Sequence, residues 1–264
     1  MNIQQKNLYW LGNCAKTKII GEILEKIHHS QEVVIFDYGC GTGGDWPSIL
    51  ANHPNIRFIG YEPSKKSFAL AQKRLSNFNV QLLTAESIQQ VTFKADFIVS
   101  FSVLEHVYDK AFYLKTAKKI LADQGIFYLN YDDGHFRNYL DLNELNLSFL
   151  QAKEWINNLL AQPLASVGVV SSFQKRVDRR DIDNLVQEIG FSILQNFYSN
   201  LNSFKSLCKT LSPDKQQNFA HLWLEVENVL NEKFRQEGET YYGDSTNLWW
   251  QMGSRTLVLQ HKCD

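Results

Sequence analysis

Asp37-Tyr-Gly-Cys-Gly-Thr-Gly-Gly44 places four glycines in eight residues, directly after the apolar, branched run Val33-Val34-Ile35-Phe36. Without a Cβ, glycine permits a tight turn and lets a ligand lie against the backbone. Dinucleotide-binding proteins use a related turn to seat a pyrophosphate on the following helix terminus. An aspartate two residues before the first glycine is poor company for a phosphate and suits an ammonium group, so Asp37 with Gly39, Cys40 and Gly41 points to a cationic ligand. A second acid, Glu62, ends the run Arg57-Phe-Ile-Gly-Tyr61 and lies 23 residues after Gly39. A carboxylate there can accept hydrogen bonds from both hydroxyls of a ribose. Its ordinary alternative is to cap a helix beginning at Pro63-Ser64-Lys65.

Proton-transfer chemistry has fewer candidates. Asn130-Tyr-Asp-Asp-Gly-His135 follows the apolar run Ile126-Phe-Tyr-Leu129, where ligands of open α/β sheets sit. His135 is the first candidate for a general base, with Asp132 and Asp133 to orient it or to bind an amine; His106 is the second. Turn residues after Gly134 and a helix start at His106 are the ordinary readings of the same positions. Two acids in one turn with no further ligand in view give weak support for Mg²⁺, and no metal is expected. Aromatic residues outside the core pattern, Tyr9, Trp10, Tyr131, Tyr198 and Tyr242, together with His135, are candidates to wall an apolar acceptor or to flank a cation.

These residues need elements to position them. Apolar runs at 33–36, 57–61, 80–83, 97–101 and 126–129 read as buried strands. Between them Phe68, Ala71 and Leu75 share one helical face, and Leu104, Val107, Ala111, Leu114, Ala117 and Leu121 share another. The β-α-β alternation predicts a doubly wound sheet with right-handed crossovers. After Tyr131 the rhythm breaks into a helical stretch at Leu150 to Leu160, then a helix carrying Ile182, Leu185, Val186 and Ile189 that ends at Gly190. A strand near Phe191 to Tyr198 follows. Ser212-Pro213 opens another helix, whose stripe Phe219, Leu222, Trp223 and Val226 reads as a core face. The last strand is Arg255 to His261. One α/β domain over 1–264 is expected, with its core at about 31–130, 178–198 and 254–262. A helical segment at 3–28 precedes it, and helical lid insertions occupy about 131–177 and 199–253.

Composition narrows the partners. With 27 basic and 28 acidic residues the net charge is -1, which supplies no field to attract nucleic acid or an anionic membrane. No apolar run approaches the roughly 18 residues of a membrane span, and the start lacks a signal-peptide pattern, so a cytoplasmic protein is expected. The four cysteines form no C-x-x-C pair and read as free thiols. Oligomeric state does not follow from the residues.

Asp37-x-Gly-x-Gly-x-Gly, Glu62 and Ala95-Asp-Phe-Ile-Val-Ser-Phe-Ser-Val-Leu-Glu-His-Val107 resemble, in order and spacing, the class I S-adenosylmethionine-dependent methyltransferases, especially those acting on small molecules. The resemblance covers about residues 31 to 130. It implies a Rossmann-like seven-stranded sheet whose last strand is antiparallel, and S-adenosylmethionine as cofactor with S-adenosylhomocysteine as product. It further implies methyl transfer to a small molecule, with an oxygen of a hydroxyl or carboxylate as the expected acceptor. The backbone around Gly39 and Gly41 would then pass the methionine part, Asp37 would fix the loop or the ammonium, and Glu62 with Pro63 would take the ribose. Phe101, Ser102 and Val103 would offer backbone carbonyls to the ammonium, while Glu105 and His106 would begin the next helix beside the site. The family often places Asp and a small residue after the third strand to meet the adenine. Here Thr84-Ala85-Glu86-Ser87 puts the acid one place later, which leaves Ala85, Glu86 and Ser87 as candidates. Three alternatives stand beside this reading: an N- or C-methyltransferase, a nicotinamide oxidoreductase, which Asp37 disfavours, and a cofactor-binding protein without turnover.

Overall fold

The computed structural model describes residues 13–28, 30–132, 160, 163–164, 173, 177, 179–201, 207–208, 210–237 and 252–262. Seven strands, β1 (Val33–Tyr38), β2 (Ile56–Tyr61), β3 (Val80–Leu83), β4 (Ala95–Phe101), β5 (Leu121–Asp132), β6 (Phe191–Leu201) and β7 (Met252–His261), form one sheet in the order β3-β2-β1-β4-β5-β7-β6. The pairs among β1 to β5 are parallel, and β7 runs antiparallel to both β5 and β6. Strand order reverses between β1 and β4, which opens a crevice at their carboxyl ends.

Among the described residues, six helices of six or more residues accompany the sheet: α1 (Cys14–Lys26), α2 (Pro47–Asn52), α3 (Lys65–Leu75), α4 (Lys110–Ile120), α5 (Arg179–Ile189) and α6 (Pro213–Glu237). Strand alternation sorts the core into two layers. Phe36, Tyr38, Ile98, Phe127 and Leu129 meet Leu114 of α4 and Ile182 and Val186 of α5. On the other face Ile35, Val99 and Tyr128 meet Ile19 and Ile23 of α1, Ile49 of α2 and Leu75 of α3. Within α1, Ala15, Ile19 and Ile23 recur every four residues and are fully buried, each isoleucine contributing about 1.5–3 kcal/mol by burial. Asn13 starts this helix by accepting from the Lys16 amide at 3.0 Å. The expected segment at 3–28 is thus a helix from Cys14 onward, and its earlier part lies outside the described residues. Among the described residues no helix is long and apolar enough to cross a membrane.

Two sequence expectations are corrected. The stripe from Leu104 to Leu121 is not one helix: Leu104–His106 form a 3₁₀ turn, α4 starts only at Lys110, and Leu121 already belongs to β5. Asp109 causes the restart, since its carboxylate accepts from the Phe112 amide at 2.8 Å and caps α4. On α6, Leu222 and Val226 are exposed, whereas Ala220, Glu227 and Asn231 are buried. Polar contacts orient this helix. Asn231 both accepts from the Tyr198 amide at 2.7 Å and donates to the Tyr198 carbonyl at 2.8 Å, while Glu227 accepts from the Asn200 amide at 2.9 Å. The helical stretch at Leu150 to Leu159 lies outside the described residues.

Tyr131, Arg255 and Tyr198 occupy one register row across β5, β7 and β6. The Arg255 guanidinium donates to the Tyr131 hydroxyl at 2.9 Å and to both oxygens of Asp183 on α5 at 2.7 and 2.9 Å. Arg179 donates to the Tyr198 hydroxyl at 2.8 Å. Arg255 is 1% exposed, so its charge depends on the Asp183 carboxylate. Asp183→Ala is expected to lower unfolding stability by roughly 3–5 kcal/mol in urea denaturation, the cost of an unpaired buried charge. An unchanged midpoint would show that the row does not need the pair.

Candidate functional site

The carboxyl ends of β1, β2 and β4 converge on the glycine loop. Gly39 adopts φ +127°, and a Cβ placed there would lie 2.3 Å from Val103 Cγ2. Only glycine lets the segment after β4 press so closely on the loop. Gly41 adopts φ +56° with open space where its Cβ would be, leaving bare backbone toward the crevice. The segment Phe101 to Val103 is held from below. The Ser102 amide donates to the Asn130 carbonyl of β5 at 3.0 Å, and Ser102 itself takes the left-handed φ of 53°. A non-glycine residue in that region stores strain of order 1–3 kcal/mol, a frequent property of binding sites. Tyr113 on α4 ties β1 to β4, its hydroxyl bridging the Tyr38 carbonyl at 2.9 Å and the Ser100 hydroxyl at 2.8 Å.

Asp37 stands at the centre of this edge, 5% exposed. Its Oδ2 accepts from Trp46 Nε1 at 2.7 Å, while its Oδ1 is buried and has no hydrogen-bond partner among the described residues. Burial pushes its carboxyl up to about 7, against the opposing effects of the Trp46 hydrogen bond and the Lys16 charge. A buried carboxylate oxygen without a donor among the described residues can accept from an external cationic donor.

Glu62 is half-buried at the end of β2. Its Oε2 accepts from the Gly41 amide at 3.0 Å and its Oε1 from the Ser64 amide at 2.8 Å, so it clamps the loop and leads into the Ser64 cap of α3. A carboxylate offers about four acceptor positions, and two here are used by backbone. Pro63 beside it is exposed. Cys40 turns its side chain inward against Gly60, and burial pushes its thiol well up, so only its backbone borders the loop. After β3 the Ser87 hydroxyl accepts from the Thr84 amide at 2.8 Å and closes a small turn. Ala85 and Glu86 are exposed on it, with hydrogen bonds from Thr84 and its own amide holding the Glu86 carboxyl below the ordinary range.

The structure therefore brings together Asp37, Gly39, Cys40, Gly41, Glu62 and Phe101 to Val103. Glu105 and His106 sit in the 3₁₀ turn rather than at the start of α4, with Glu105 buried and His106 exposed. Asp132 is half-buried at the end of β5. Tyr131 and Tyr198, expected to face an acceptor, are buried, and their hydroxyls are engaged by Arg255 and Arg179. Asp133, His135, Tyr9, Trp10 and Tyr242 lie outside the described residues. Sequence reasoning missed Trp46, whose indole faces Asp37, and Lys16, whose Nζ pairs with Asp45 and lies 5.0 Å from the Phe101 ring centre.

A family model described as a methyltransferase domain matches residues 15–196. The fold, the glycine loop and its two acids agree, and the chain belongs to this family, the class I S-adenosylmethionine-dependent methyltransferases. It is 24% identical over 203 residues, 75% of its length, to the ribosomal RNA small subunit methyltransferase H of a Campylobacter jejuni strain, of which it covers 58%. Over 103 residues, 36% of its length, it is 27% identical to the ubiquinone biosynthesis O-methyltransferase of Rhizobium rhizogenes, covering 39% of that protein. The solved cyclopropane synthase MmaA2 of Mycobacterium tuberculosis shares the fold with a TM-score of 0.56 at 19% identity, over 93% of this chain and 84% of that one. The chain spans little more than half the length of the ribosomal RNA methyltransferases it matches.

S-adenosylmethionine fits the residues present. Its amino-acid end carries an ammonium, a donor of the kind that Asp37 Oδ1 lacks among the described residues. The pH consequence has a definite sign. Between 3.8, the ordinary value, and about 7 the folded chain binds a proton at Asp37 that the unfolded chain does not. Stability from this group therefore falls as pH rises through that window, by roughly 4 kcal/mol for about three units. Asp37→Asn is expected to raise the melting temperature of the ligand-free protein at pH 8 by several degrees while weakening S-adenosylhomocysteine binding at least tenfold. A lower melting temperature together with intact binding would remove Asp37 from this role.

Proposed function

We propose that the chain transfers a methyl group from S-adenosylmethionine to an oxygen, of a hydroxyl or a carboxylate, on a small-molecule acceptor. The observation that carries the cofactor half is the buried Asp37 Oδ1, left without a partner among the described residues at the glycine loop. In this reading Asp37 and the carbonyls of Phe101 to Val103 hold the ammonium, Glu62 takes the ribose, and the Thr84 to Ser87 turn borders the adenine. When bound, the cofactor supplies a methyl group already made electrophilic by its sulfonium, so the protein has mainly to align the acceptor and exclude water. The close contact of Gly39 with Val103 and the Tyr113 bridge keep the binding edge rigid for that purpose.

On the acceptor side His135, three residues beyond the end of β5, is proposed to take the proton of the acceptor oxygen, with Asp132 and Asp133 orienting it. Such a base is worth about 100- to 10,000-fold. Tyr9, Trp10 and Tyr242 are proposed to wall the acceptor. Oxygen as the target is supported by the likeness to an O-methyltransferase over 103 residues, and a small acceptor by the net charge of -1. A ribosomal RNA acceptor is the second reading, favoured by the longer match over 203 residues.

Methyl-labelled S-adenosylmethionine incubated with the protein and with separate small-molecule and RNA fractions of a cell extract distinguishes the two. Label in a small-molecule ether or ester is expected; label confined to RNA would overturn the small-acceptor reading. With the acceptor in hand, His135→Ala should retain S-adenosylhomocysteine binding and lower transfer at least tenfold. Unchanged turnover would eliminate His135 as the base.

A further inference from the structure

Asp37 answers only one of the two charges on an amino-acid end. The opposite charge, a carboxylate, calls for a cation on the same side of the crevice, and α1 supplies one. Lys16 sits in the first turn of α1, its side chain 17% exposed. Its ammonium reaches Asp45 just beyond the glycine loop, lies 5.0 Å from the ring centre of Phe101 at the end of β4, and is close enough to Asp37 to oppose the rise of that acid. Two parts of the proposed site, Asp37 and Phe101, and the rim acid Asp45 therefore converge on one lysine from an element outside the glycine-loop motif. Asp45 is 41% exposed, so the Lys16–Asp45 pair stands at the water-facing rim and is cheap to rearrange.

We propose that Lys16 binds the carboxylate of the cofactor's amino-acid end, sharing or leaving Asp45 to do so. This rests on the reading of the loop as an S-adenosylmethionine site. The amino-acid group would then be held between an acid of the sheet and a base of α1, each matched to the charge it meets. Helix α1 is fixed for this task from both sides: its apolar stripe is buried against the sheet, and its Asn13 cap meets the Asn200 amide side chain at 3.4 Å. A lysine in the first turn is unfavourable for an isolated helix, whose amino terminus carries partial positive charge. That position makes sense where the lysine meets an anion of its own, as the proposed carboxylate would be.

Calorimetry with two ligands tests the assignment: S-adenosylhomocysteine and its decarboxylated analogue, which keeps the adenosine, the sulfur and the ammonium but lacks the carboxylate. Lys16→Met retains the length and apolar stem of the side chain. It is expected to weaken S-adenosylhomocysteine at least tenfold while changing the analogue less than about threefold, and Lys16→Arg should restore most of the loss. Asp45→Asn, which breaks the ion pair but keeps the lysine, should leave S-adenosylhomocysteine binding equal or tighter. Equal weakening of both ligands in Lys16→Met, or a loss in Asp45→Asn as large as in Lys16→Met, would make Lys16 a strut of α1 and overturn the proposal. No weakening at all in Lys16→Met would overturn it too. Failure of the wild-type protein to bind either ligand would instead refute the cofactor reading beneath it, and melting curves of each variant show whether it is folded.

Discussion

A carboxylate buried at the end of β1, with one oxygen unanswered among the described residues, sets the terms for the rest of the described fold. Among the described residues Asp37 receives one hydrogen bond, from Trp46, and its surroundings favour the neutral form up to about pH 7. In the free protein that is a cost, of the size of a sizeable fraction of a domain's net stability of 5–15 kcal/mol. A cationic donor arriving at Oδ1 removes it. In the proposed reading that arrangement would favour an ammonium over a phosphate, since a second negative charge would make the burial worse.

Such a site works only if the surrounding backbone cannot relax around the acid. Several contacts prevent that. The Gly41 amide is already bound to Glu62, Gly39 is pinned beneath Val103, and Ser102 is kept in a left-handed conformation by the Asn130 carbonyl. Behind them Tyr113 stacks on Tyr38 with ring centres 3.9 Å apart and fixes the ends of β1 and β4 through its hydroxyl. These links join loops that belong to different crossovers, so the sheet order itself, with β1 beside β4, positions the site. The row of Tyr131, Arg255 and Tyr198 performs a similar structural task further along the sheet, which is why those two tyrosines serve the interior.

Local pattern made much of this legible. Strands β1 to β5 show as short apolar runs because both faces of a parallel sheet are covered, and the loop shows because glycine takes its positive φ values at the least cost. Asp37 and Glu62 stand at fixed distances from that loop. What escaped were relations between elements. The apolar spacing from Leu104 to Leu121 continues across a boundary that Asp109 imposes through one capping bond. On α6 the outward-facing Leu222 and Val226 mimic a core stripe, whereas the helix packs with Glu227 and Asn231, whose polarity is satisfied by the backbone of β6. Trp46 carries no local sign of its contact with Asp37 until the loop folds it over that acid. For Lys16 one faint signal exists, a basic residue in a helix's first turn, against the dipole.

Proton linkage probes the buried acid most directly. Calorimetric titration of the protein with S-adenosylhomocysteine at pH 6, repeated in buffers of different ionisation heat, counts protons exchanged on binding. At that pH the ligand's amino group is already protonated, with an ordinary value near 8, whereas Asp37 in the free protein is mostly neutral. Ionisation of Asp37 against the ammonium should release close to one proton per ligand bound. Tight binding with no proton exchanged would contradict an Asp37 carboxylate that is held neutral until the ligand's charge arrives.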